Sequence, residues 1–86
     1  MKMTESEIST LERLKNVFRD IFDDEELEIN NNTTALDIDG WDSLAHIRLI
    51  LSIEKAFNIR FSAGEISELK NIKDMVDLVC RKKSAA

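Results

Sequence analysis

Eighty-six residues without a single proline, and with only two glycines, leave little from which to build tight hairpins. Such a chain can form helices in quantity, because neither helix breaker interrupts it over long stretches. It also has the apolar content to fold: Leu, Ile, Val and Phe number 26, too many for a disordered chain. The expectation is a single domain over residues 1–86, with an ordered core from about 4 to 82 and a flexible tail at 83–86. A domain of this size hides only about 60–65% of its unfolded surface. A core that thin argues against a deep, rigid active site more strongly than against a binding role.

Charge narrows the partners. Residues 1–42 hold 12 acidic and 4 basic side chains, a net −8, whereas residues 43–86 hold 5 acidic and 8 basic, a net +3. The acidic half speaks against nucleic acid as a partner. No apolar run approaches the ~20 residues of a membrane span, and the first residues lack the cationic-then-apolar order of a signal peptide. One cysteine cannot form an internal disulfide, which fits a reducing cytoplasm. One histidine and one cysteine also argue against a zinc site, so no metal ligands are assigned.

Capping residues divide the chain. Thr4 followed by Glu7 has the form of a capping box, and Ile8, Leu11, Leu14, Phe18, Ile21 and Phe22 then recur every three or four residues. That predicts a helix from about Glu5 to Phe22. Residues 23–42 show no sustained period, but Leu27, Ile29, Leu36, Ile38 and Trp41 can pin a long loop to a core. Loops near 20 residues are uncommon in compact domains and are often functional. Residues 43–57 alternate as a strand would at Ala45, Ile47, Leu49, Leu51 and Ile53, yet 15 uninterrupted residues suit a helix, with Ser43 as its N-cap. Ser62 with Glu65 opens a short helical turn through Leu69. Asn71 caps a last helix with the stripe Ile72, Met75, Val76 and Val79, and Arg81, Lys82 and Lys83 suit the negative end of its dipole. The predicted fold is all-α: a small four-helix bundle of three longer helices and one short helix, with a long loop between the first and second.

The second helix carries two apolar stripes. Ala45, Leu49, Ile50, Ile53 and Phe57 form a core face, while Leu44, Ile47 and Leu51 lie on another side beside Arg48, Ser52 and Lys55. Core packing alone and docking of a partner both account for the second stripe. Ser43 has two readings as well, an ordinary cap or a hydroxyl whose phosphate ester a helix N-terminus would stabilise. His46, three residues on, suggests a hydrolase pair, but nothing supplies oxyanion donors or a substrate cleft, and no catalytic residue is assigned. Cys80 reads as a small core or flank residue, the 23–28 run as a solvated acidic surface, and Trp41 as a loop anchor with its N–H toward water or a carbonyl.

With this order of elements, the segment Leu36-Asp37-Ile38-Asp39-Gly40-Trp41-Asp42-Ser43-Leu44 resembles the D-x-x-x-x-D-S-L attachment motif of acyl carrier proteins. Glu54-Lys55-Ala56-Phe57 and Ile59-Arg60-Phe61-Ser62 add to the resemblance, which covers roughly Ile8 to Val79. It implies a monomeric carrier without catalytic activity of its own. Ser43 would take 4′-phosphopantetheine from coenzyme A through a phosphopantetheinyl transferase, and Asp42 and Leu44 would flank the attachment. Acyl groups would ride on the arm's thiol as thioesters, for acyl-transferring and acyl-processing enzymes of fatty-acid, polyketide or other lipid-type synthesis. Leu44, Ile47, Arg48, Leu51 and Lys55 would form the docking face. Leu49, Ile53, Phe61, Ile66 and Leu69 would line a channel for the acyl chain. Fatty-acid carriers usually show several acidic side chains along the second helix, where this chain has Ala45, Arg48 and Lys55, which favours a specialised pathway. The competing reading is a helical interaction module without a cofactor.

Overall fold

The computed structural model describes residues 3–85. Four helices appear in the order α1 (Glu5–Ile21), α2 (Ser43–Phe57), α3 (Ala63–Ser67) and α4 (Ile72–Ala85), and no strand occurs among the described residues. The reciprocal hydrogen bonds expected at Thr4 are present: its hydroxyl accepts the Glu7 N–H at 3.1 Å, and Glu7 Oε1 accepts the Thr4 N–H at 2.9 Å. Leu14 and Phe18 of α1 are fully buried, whereas Ile8 is 49% exposed. Thr10 takes a buried place on that turn instead, its hydroxyl 3.5 Å from the Cys80 sulfur, which makes Cys80 the flank residue expected.

Helix α2 resolves the strand–helix ambiguity, and its two stripes separate. Leu49, Ile50, Ile53 and Phe57 are buried, while Leu44, Ile47 and Leu51 are 57–61% exposed. The helix stops at Asn58, whose φ of +55° is left-handed, a conformation asparagine tolerates, and the Ile59 N–H returns to the Glu54 carbonyl at 3.0 Å. Ser62 and Glu65 form their reciprocal pair, and i→i+3 bonds from Glu68 and Leu69 carry the turn on to Leu69. Helix α4 buries Ile72, Met75, Val76, Leu78 and Val79 and continues through the expected tail to Ala85; residue 86 lies outside the described residues. Lys83 belongs to that helix, its ammonium 3.4 Å from the Thr10 hydroxyl.

The long loop is held at several points. Ile29 and Ile38 are buried, with Leu27 and Trp41 packed half-buried against the same core. Leu36 is not a pin: it is 97% exposed in a 3-10 turn at Ala35–Asp37. Thr34 and Asp37 close that turn reciprocally, and the buried neighbours Thr33 and Ile38 leave Leu36 on its outer side. Two loop carbonyls accept the first N–H groups of α4, Thr33 from Ile72 and Asn31 from Lys73, both at 3.0 Å, and the Asn71 side chain accepts from Asp74 at 2.9 Å. Those N–H groups have no partner within a helix, so the loop completes α4. The acidic side chains of residues 23–28 are exposed, as expected, and the last of them is paired. Glu28 pairs with Lys15 at 2.9 Å and Arg19 at 2.7 Å, and both cations, Lys15 first, hold its carboxyl below the usual range.

Candidate functional site

The start of α2 is positioned by the residue two places before Ser43. Trp41 meets Phe18 edge-on, with ring centres 5.2 Å apart at 81°, and lies 6.1 Å from Phe22, so the end of the loop rests on α1. Gly40 turns the chain into this contact with φ +86°, where a side chain would be strained.

Asp42, not Ser43, is the N-cap. Its Oδ1 accepts the Ala45 N–H at 2.9 Å and its carbonyl accepts the His46 N–H at 2.9 Å. Serine and aspartate cap about equally well, and the carboxylate has the added attraction of the helix's positive end. Ser43 is therefore the first residue inside the helix. It is exposed, and its hydroxyl has no hydrogen-bond partner among the described residues.

The indole N–H of Trp41 goes to neither water nor a carbonyl: it donates to Nδ1 of His46 at 3.1 Å, with the two rings stacked at 22°. Burial pushes the His46 pKa down, which favours the neutral ring, and an Nδ1 that accepts from the indole leaves the ring proton on Nε2. Its Nδ1 is thus committed to Trp41, and the Ser43–His46 pair that a hydrolase needs is not formed. No group of His, Cys, Asp or Glu among the described residues is arranged to hold a metal ion.

Ser43 lines an open-sided cavity of about 510 Å³ together with Trp41, His46, Ile47, Leu69 and Lys70. Lys70 was not among the residues expected at this site; 27 positions separate it from Ser43, and no local pattern joins them. Arg48 and Lys55 are exposed beside Leu44, Ile47 and Leu51, and neither forms an ion pair among the described residues. Of the five channel residues, Leu49 and Ile53 are fully buried and Phe61, Ile66 and Leu69 half-buried. Neither this cavity nor a larger one of about 830 Å³ between α1, α3 and α4 is lined by Leu49, Ile53, Phe61 or Ile66.

Residues 12–79 match the family described as the phosphopantetheine attachment site. The chain is 34% identical over 68 residues to the acyl carrier protein of Coprothermobacter proteolyticus, covering 79% of this chain and 83% of that protein. It is 28% identical over 71 residues to the acyl carrier protein of Buchnera aphidicola, covering 83% and 89%. The solution structure of the holo acyl carrier protein from Geobacter metallireducens superposes with a TM-score of 0.84 at 45% identity, over 88% of this chain and 87% of that one.

The cap assignment makes a testable contrast. Asp42→Ala should lower unfolding stability by about 1 kcal/mol, the usual cost of losing a capping side chain. Ser43→Ala should stay within about 0.5 kcal/mol of the parent, as for other exposed substitutions. Urea denaturation of the two variants reads the difference, and the opposite ranking would return the cap to Ser43.

Proposed function

The chain belongs to the phosphopantetheine attachment-site family as an acyl carrier protein, and we propose that Ser43 is the residue to which its 4′-phosphopantetheine is joined. One observation carries this reading: the Ser43 hydroxyl is exposed and unengaged at the start of a 15-residue helix, because Asp42 has taken the cap. The group supplies a thiol on a long flexible arm, which holds acyl chains as thioesters. The residues fit such an ester. The first N–H groups and the positive end of α2 favour a negative charge at this place. A separate phosphopantetheinyl transferase would supply the base that takes the Ser43 proton. Ser43 Oγ forms the new P–O bond, the pyrophosphate P–O bond of coenzyme A breaks, and 3′,5′-adenosine bisphosphate leaves. Asp42 would help orient that transferase and its metal ion, with Leu44 beside the attachment.

Partner enzymes would dock on Leu44, Ile47 and Leu51, with Arg48 and Lys55 at the rim. An exposed apolar stripe of this kind marks an interaction surface, and its charged edge sets encounter rate and specificity. A basic edge suits partners with an acidic or neutral docking face. The acyl chain would enter between α2 and α3 by parting Leu49, Ile53, Phe61, Ile66 and Leu69. Each buried CH₂ returns about 0.8 kcal/mol, enough to offset a modest opening.

Three outcomes are expected. Incubation with coenzyme A and a broad transferase adds one phosphopantetheine by intact mass, and Ser43→Ala abolishes the addition while helical circular dichroism persists; addition that survives the substitution removes Ser43 from this role. Loading acyl chains of two to ten carbons raises Tm progressively, and an unchanged Tm means that the chain stays in solvent. Generic fatty-acid ketosynthases, which meet their carriers with basic patches, use this protein weakly, and Ala45→Asp with Arg48→Glu improves them with a gain that fades in high salt. Service by the unmutated protein equal to that of a housekeeping carrier would show that the basic rim does not govern partner choice.

A further inference from the structure

The cavity beside Ser43 has features that the attachment reaction does not require. Its volume of about 510 Å³ falls within the range of small-ligand sites, about 300–1,000 Å³. Three separate parts of the fold meet there: the end of the loop at Trp41, the first turn of α2 with Ser43, His46 and Ile47, and the segment after α3 with Leu69 and Lys70. The lining is mainly apolar and carries one carboxylate, Asp42, and one cation, Lys70. The Lys70 ammonium, like the Arg48 and Lys55 side chains, forms no ion pair among the described residues. Its backbone is fixed, since its N–H donates to Asp74 Oδ2 at 3.2 Å. His46 is tied to Trp41, and burial favours its neutral ring, which adds no competing charge.

An arm on Ser43 begins with a phosphodiester, which carries one negative charge and lies next to the Asp42 carboxylate. Asp42 is already engaged by the Ala45 N–H, so it offers that charge nothing but repulsion. Beyond the phosphate comes a carbon bearing two methyl groups, the bulkiest apolar point of the arm. The amides that follow find their polar partners in solvent, beyond the open side of the cavity. We propose that the cavity seats the proximal part of the arm, Lys70 pairing with the phosphodiester while Trp41, His46, Ile47 and Leu69 cover the dimethyl carbon. The amides and the thiol then extend into solvent from a fixed base. This inference rests on the assignment of Ser43 made above.

The test uses the full chain loaded by coenzyme A and a transferase, with intact mass and peptide mapping to locate the group. Nuclear Overhauser contacts from the two arm methyls to Ile47 and Leu69 are expected, together with a shift of the Trp41 indole N–H resonance. In Lys70→Glu the group should still be added at Ser43, but those contacts should weaken at least twofold. One molar salt, with a Debye length of about 3 Å, should weaken them in the parent protein. Loading at Ser43 with no contact from the methyls to Ile47 or Leu69 overturns the seat while leaving the attachment reading intact. Contacts at full strength in Lys70→Glu overturn the pairing with Lys70. Failure to load, or a group found on another residue, overturns the attachment reading and the seat with it.

Discussion

Trp41 lying edge-on against Phe18, with ring centres 5.2 Å apart, is the contact on which the position of Ser43 depends. The loop that precedes α2 contains no regular structure beyond one 3-10 turn. A helix start at the end of such a loop would fray if nothing held it, because the first turn fixes several residues for a single hydrogen bond. Phe18 is fully buried in the common core, so Trp41 transfers the rigidity of α1 to the residue that caps α2. Aromatic pairs of this kind add about 0.5–1.5 kcal/mol beyond the area they bury. Gly40 supplies the turn that lets the ring reach its place. The same loop completes α4 through the carbonyls of Asn31 and Thr33. Its length is thus spent on joining three helices.

Most of the helical architecture was legible because its signals are local. The pairs Thr4–Glu7 and Ser62–Glu65 are self-contained devices, and each marks its helix start in the structure as in the sequence. The core face of α2 followed from helical spacing alone. Much of what escaped was decided by contacts between distant residues. Asp42 and Ser43 are both good caps, and residue type alone does not choose between neighbours in the chain. Leu36 looks like a core residue in any hydropathy reading, but the Thr34–Asp37 turn faces it outward. The Trp41 N–H finds a histidine only because α2 brings His46 back over the indole. Lys70 reaches the site through the path of the chain after α3. The acidic run at residues 23–28 is the exposed surface that its composition implies, and only the pairing of Glu28 with Lys15 and Arg19 needed the fold.

The family match and the relatives establish the carrier, and the free hydroxyl is consistent with the attachment proposed at Ser43. In a hydrolase, His46 would turn a nitrogen toward Ser43, whereas its Nδ1 accepts from Trp41 and burial favours the neutral ring. A carrier needs no such service from that oxygen. It needs the oxygen exposed, fixed in place and unreactive until another protein activates it. Ser43 is exposed at a helix start that Trp41 anchors, as the proposed attachment requires.

Ile47 belongs to two surfaces at once. It is 57% exposed in the apolar stripe with Leu44 and Leu51, and it also lines the cavity beside Ser43. If the base of the arm rests in that cavity, a partner that covers Ile47 competes with the arm for the same side chain. Docking and release of the arm would then be one exchange, in which the partner's apolar surface takes the place of the dimethyl carbon against Ile47. Such an exchange leaves the net burial at Ile47 nearly unchanged, so the barrier to handing over the arm need not include the full cost of exposing that side chain. A small core cannot enclose the arm and its cargo permanently. A shallow seat that shares one residue with the docking face holds the arm between encounters without obstructing them.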